Sequence, residues 1–211
     1  MKLAIIKTYV CTNLGRAVAL SCLAGLITAC AALVIQPSKN AAIWAAGNFF
    51  STLGNDLFLI GSNFLIIGWA YRKRLPSIMK LTLLLDLLVW VSVQGLKYLQ
   101  LGTWYLRPNG GTGGFPSGHA THAFAMAFLL TLYFPRFAWF WYSCAALISW
   151  SRVETDWHTG IQVTAGIILG ITLVWLLTVR WVLHPEAVIL RPQPTQKQSQ
   201  PLPVQQSYAT E

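Results

Sequence analysis

Long apolar runs alternate along the chain with short basic, polar or glycine- and proline-rich stretches. The runs span 17–35, 53–70, 79–101, 119–134, 137–150 and 158–183. The first holds 19 residues and no charge, enough to cross ~30 Å of hydrocarbon as a helix. It exceeds the roughly 7–15 apolar residues of a signal-peptide core, so a retained helix is expected. Residues 41–50 are apolar but too few to span, and read as an interfacial helix with Trp44 and Phe49 at headgroup level. As helices, 120–134 and 137–150 rise only ~22 Å and ~21 Å, which sets their outer ends at or just below the headgroup layer. The pattern predicts an all-α integral membrane protein: a bundle of six transmembrane helices in a domain over 1–183. Residues 184–211, rich in Pro, Gln and Ser, read as a disordered cytoplasmic tail.

Composition agrees with this pattern. Of 211 residues, 55% are hydrophobic and only 10% charged, against about 25% charged in soluble domains. Fifteen bases face six acids, for a formal charge of +9. The bases punctuate apolar runs instead of forming a polar surface, which argues against nucleic-acid binding. They instead set orientation. With the N-terminus inside, Arg16, Arg72, Lys73, Arg74, Lys80, Arg136 and Arg180 all fall on the cytoplasmic side. Lys39, Lys97, Arg107 and Arg152 remain outside, so a site built on them is expected at the outer-side helix ends, on the periplasmic face of a bacterial inner membrane. The four Cys lie in or beside apolar runs without metal-like spacing and read as small hydrophobes.

The stretch Gly113-Gly114-Phe115-Pro116-Ser117-Gly118-His119 reads as a turn opening a helix. Ser117 suits an N-cap, and Gly118 lets a ligand approach the backbone. The first helical N–H groups favour an oxyanion, and His119 exchanges a proton near neutral pH. Lys97 and Arg107-Pro108 stand upstream; Ser151-Arg152 and His158 stand downstream.

These three blocks resemble the motifs of the type 2 phosphatidic acid phosphatase superfamily, the membrane lipid phosphate phosphatases: a Lys before Arg-Pro, then Pro-Ser-Gly-His, then Ser-Arg with a His six positions past the Arg. The sequence departs from that pattern twice. Nine residues separate Lys97 from Arg107, where the family usually has six. Gln162 stands four residues after His158, where the family usually has Asp. The resemblance implies that His158 is the nucleophile, forming a phosphohistidine, and that His119 protonates the leaving oxygen. Arg107 and Arg152 suit phosphate as planar forks, Lys97 as a point charge, and Ser117 with the N–H groups around Gly118 as neutral donors. Lys97, moved nearly one helical turn, either meets the headgroup or snorkels. Gln162 lies one turn from His158 and can accept its Nδ1–H, without the charge of an Asp. Turnover is therefore expected to be reduced but present, with Glu154 or Asp156 as alternative sources of the missing charge.

The function implied is metal-independent hydrolysis of a membrane lipid phosphate or diphosphate, with no cofactor. Substrates of the undecaprenyl diphosphate, phosphatidylglycerophosphate, phosphatidic acid or lipid A type are implied. A phosphotransferase passing the group to an acceptor lipid, or a non-catalytic lipid-phosphate-binding protein, are the alternatives. His119 and His122, at i and i+3 without a carboxylate, make a poor metal site. His122 is read as a packing or hydrogen-bonding residue. Asp86, eleven residues from Lys97 and so ~16 Å away along a helix, is expected to make a buried interhelical hydrogen bond outside the site.

Overall fold

The computed structural model describes residues 2–38 and 40–183. Among them only helices and turns occur. The helices are α1 (Lys2–Val34), α2 (Ala41–Phe49), α3 (Asn55–Arg72), α4 (Pro76–Tyr98), α5 (Gly118–Tyr133), α6 (Ala138–Glu154) and α7 (Gly160–Leu183). Local chemistry marks several ends. Asn40 caps α2, its Oδ1 accepting from Ala42 N at 2.9 Å and Ile43 N at 3.3 Å. A wide π-helical turn, Phe50–Gly54, joins α2 to α3. Pro76 opens α4, where its missing N–H costs nothing.

Four stretches are long and apolar enough to cross a membrane: Val10–Val34, Ala41–Arg72, Pro76–Tyr98 and Gly160–Val182. α5 and α6, with 16 and 17 residues, are shorter than ~30 Å of hydrocarbon requires. The exterior is apolar: Leu26, Phe64 and Trp139 are 63%, 75% and 71% exposed, a surface suited to lipid and not to water.

Several boundaries differ from the sequence expectation. The helix that carries the expected first span, 17–35, runs from Lys2 to Val34, and its stretch suited to a membrane is Val10–Val34. The expected third and sixth spans, 79–101 and 158–183, are shifted to Pro76–Tyr98 and Gly160–Leu183. Ser151 and Arg152, which fall between the expected spans 137–150 and 158–183, lie in the last turn of α6, which runs on to Glu154. The predicted tail, 184–211, lies outside the described residues.

α5 is the central element, touching α1, α3, α4, α6 and α7. Almost every residue from Ala120 to Tyr133 is buried. Its nearest partner, α7, carries Gly166 and Gly170 on the facing side. A Cβ at Gly166 would meet the Ser117 carbonyl, and one at Gly170 would collide with the Thr121 carbonyl. Small residues four apart thus let two backbones approach closely, as in membrane helix pairs. Ser117 N donates to Gln162 O at 2.9 Å, locking the start of α5 to the start of α7.

Candidate active site

The loop between α4 and α5 folds on its own backbone. Arg107 N donates to Gly111 O at 2.8 Å, Gly110 N to Arg107 O at 3.0 Å, and Gly114 N to Tyr105 O at 2.7 Å. Gly110 and Gly113 take φ of 81° and 69°, a region open to glycine at little cost. Asn109 N reaches Asp156 O at 3.2 Å, tying this loop to the α6–α7 turn. A 3-10 turn, Gly102–Tyr105, lies between Lys97 and Arg107.

A cavity of about 760 Å³ opens where α4 and α6 end and α5 and α7 begin; Lys97, Arg107, Gly118, His119, Arg152 and His158 all line it. Among the described residues no carboxylate lies within salt-bridge distance of Lys97, Arg107 or Arg152. The Nε atoms of both arginines are buried without a protein partner. Half-buried cations with no counter-charge make a strong oxyanion site.

Two contacts aim the guanidiniums. Arg152 Nη1 donates to Ser51 O at 3.0 Å and Ser51 Oγ at 2.5 Å, fixing α6 against the π-helical turn. Arg107 Cζ and Arg152 Cζ lie 5.2 Å and 5.3 Å from the Trp157 ring centroid. One indole thus holds both forks by cation–π attraction, although their like charges repel. Neither Ser51 nor this role of Trp157 is visible from sequence. Trp157 stands beside His158, but between two apolar runs it reads only as an interfacial aromatic.

His158 Nδ1 lies 2.8 Å from Gly114 O and 3.2 Å from Gln162 Oε1. Gly114 O can only accept. Gln162 Nε2 donates to Trp104 O and Leu106 O, each at 2.7 Å, and Oε1 accepts from Thr159 N at 3.0 Å. These four contacts fix the amide's orientation, with its oxygen toward His158. Both neighbours of Nδ1 are acceptors, so Nδ1 carries the proton and Nε2 keeps its lone pair. Burial, then the charges of Arg152, Arg107 and Lys97, push the His158 pKa down to about 3, against the raising effect of the Gln162 hydrogen bond. The ring is therefore neutral at neutral pH.

Gln162 does not line the cavity. It sits behind His158 and ties down the 102–114 loop, and a Cβ on Gly114 would strike its amide. Ser117 occupies the N-cap position of α5 but makes no capping bond, and its Oγ is fully buried and unpaired. Glu154 and Asp156 do not supply the missing charge to His158. Glu154 Oε1 instead accepts from Ser38 N at 2.9 Å, and neither residue lines the cavity. Asp86 makes the expected interhelical hydrogen bond, to His122 of α5; unlike the expectation, it also lines this cavity. Among the described residues no three His, Cys, Asp or Glu side chains gather as a metal site.

The helices and the cavity define a membrane-type helical bundle around a cation-lined cavity that two imidazoles also line. Comparison with known families narrows this class: residues 90–184 match the model of the PAP2 superfamily. This is the superfamily that the three motif blocks resemble, and the match contains every motif residue from Lys97 to Gln162. Members of that superfamily are phosphatases, which supports a phosphoric ester hydrolase in general. No curated protein and no solved structure matches the chain.

Proposed function

We propose that this protein is a membrane lipid phosphate phosphatase that works without metal, through a phosphohistidine on His158. The observation that carries this reading is the sharing of one cavity by three cations without counter-charges, His119, and a neutral His158 with Nε2 unprotonated. A phosphate monoester or diphosphate places its non-bridging oxygens among Lys97, Arg107 and Arg152, with the N–H groups at Gly118 as uncharged donors; the buried Ser117 hydroxyl does not line the cavity.

The Nε2 lone pair attacks phosphorus, an N–P bond forms, and the P–O bond to the lipid breaks. His119, protonated once the bound phosphate's negative charge offsets the neighbouring cations, gives that proton to the departing oxygen. In the second half, water gives a proton to His119 and attacks phosphorus. The N–P bond breaks and inorganic phosphate leaves. Throughout, the Gly114 carbonyl and Gln162 Oε1 hold Nδ1–H, so only Nε2 reacts. The excess of bases on loops assigned to the cytoplasm supports a site on the outer face, reached by lipids of the outer leaflet.

The test is phosphate release by purified protein, in chelator, from a panel of lipid phosphates and diphosphates including undecaprenyl diphosphate, phosphatidylglycerophosphate, phosphatidic acid and lipid A. Release abolished in His158→Ala is expected. Phosphate appearing on an added acceptor lipid instead of in solution assigns a transferase. No release or transfer from any lipid, with binding retained, assigns the non-catalytic alternative and overturns the proposal.

A further inference from the structure

The cavity extends past the phosphate site to a polar pair that the reaction above leaves unused. His122 Nε2 and Asp86 Oδ1 are 2.7 Å apart, bridging α5 and α4. Asn63 Nδ2 also reaches Oδ1, at 3.5 Å. Both contacts fall on the same oxygen, which leaves Asp86 Oδ2 without a donor among the described residues. The side chains of His122 and Asp86 remain 23% and 27% exposed, and both residues line the cavity that holds Arg107 and His158. A carboxylate midway along an apolar helix is costly and in general marks function. Joining two helices requires only one of its oxygens.

The register sets what this pair can touch. His122 follows His119 by three residues, so it lies ~4.5 Å deeper along α5. A substrate with its leaving oxygen at His119 places the next atoms of its leaving group beside His122 and Asp86. A hydroxyl on the neighbouring carbon, plus one hydrogen bond of about 2.8 Å to a carboxylate oxygen, covers that distance. A carboxylate accepts from a hydroxyl, repels a second phosphate, and is left unsolvated by a bare hydrocarbon. Building on the proposed phosphatase reaction, we infer that Asp86 and His122 form a subsite for a hydroxyl on the leaving group. The preferred substrate is then a phosphomonoester of a polyol-bearing lipid, of glycerol or sugar type, and not a polyprenyl phosphate or a diphosphate.

The test compares two lipids in the full-length protein: phosphatidylglycerol phosphate, and its analogue lacking the glycerol hydroxyl beside the ester. Hydrogen bonds to charged groups are among the stronger ones, so kcat/KM is expected to favour the hydroxyl lipid by about 10- to 100-fold. In Asp86→Leu that ratio collapses toward unity. Asp86→Asn keeps an acceptor and the link to His122, and covers the case in which the Leu variant fails to fold; its ratio falls several-fold. A wild-type ratio near unity, or a ratio unchanged in folded Asp86→Leu and in Asp86→Asn, overturns the subsite while leaving the phosphatase intact. Absence of release from both lipids and from the wider panel removes the phosphatase itself, and the subsite with it.

Discussion

Gln162→Glu is the most revealing substitution, because two accounts of Gln162 predict opposite results. If Gln162 only stands in for an orienting carboxylate, a carboxylate of the same length beside His158 Nδ1 raises turnover. The hydrogen bonds say otherwise. Gln162 Nε2 donates to Trp104 O and Leu106 O at 2.7 Å each. An ionised glutamate replaces those two donors with an oxygen facing two carbonyl oxygens. A protonated one recovers a single bond and loses the negative charge. Two lost bonds at ~1 kcal/mol each, plus the penalty for acceptors left unpaired, come to about 2–4 kcal/mol. For a chain of this size that lowers the unfolding midpoint by roughly 5–15 °C. The loop being released also carries Gly114, the closer partner of Nδ1, so phosphate release should fall by at least about tenfold. Gln162→Asp, one methylene shorter, cannot reach the two carbonyls and should fall as well. Thermal unfolding in detergent and phosphate release are measured on both variants. Either one matching the wild type in stability while turning over faster refutes the reasoning.

Three other outcomes follow from the same geometry. Trp157→Leu removes the shared face of Arg107 and Arg152; at about 0.5–1 kcal/mol per cation–π contact, KM should rise roughly 5- to 30-fold with a smaller change in kcat, read from initial rates. Nitrogen NMR of labelled His158 should show Nδ1 protonated and no titration between pH 5 and 8 in the empty protein. Since its pKa is depressed to about 3 from 6.5, the unfolded chain takes up this proton first, and His158 contributes a loss of stability as pH falls from about 6.5 toward 3. Denaturant midpoints of wild type and His158→Gln across that range check the sign. Gly170→Ala forces a Cβ into the Thr121 carbonyl and should cost about 1–3 kcal/mol by overpacking. Activity should fall with it, because the α5–α7 contact sets His119 against His158.

Much of the site was legible because its residues sit at helix ends. Turn-forming residues at 108–118 and the bases between apolar runs mark those ends directly, and Lys97, Arg107, Gly118, His119, Arg152 and His158 do meet in one cavity. What sequence could not supply were relations between helices. Spacing along α4 sets Asp86 apart from Lys97, and only the packing of α4 on α5 shows that Asp86 and His122 line the same cavity. Ser51 and Arg152 are one hundred and one residues apart and meet only because the π-helical turn lies on α6. Gln162 reads as a lone orienter because Trp104 and Leu106 contribute backbone oxygens, which leave no side-chain signature. The extent of α6 through Glu154 is hidden for a similar reason: its last turn is polar because Arg152 lines the cavity and Glu154 accepts from Ser38, and polarity alone resembles a loop.

The central claim is a covalent phosphate on one nitrogen, and trapping it tests the account most directly. The protein is mixed with a radiolabelled lipid phosphate, quenched within one turnover and digested, and the label is located by mass spectrometry. The account predicts acid-labile, alkali-stable label on His158, and none in His158→Ala. Undiminished phosphate release from His158→Ala, or covalent label on any other residue, contradicts it.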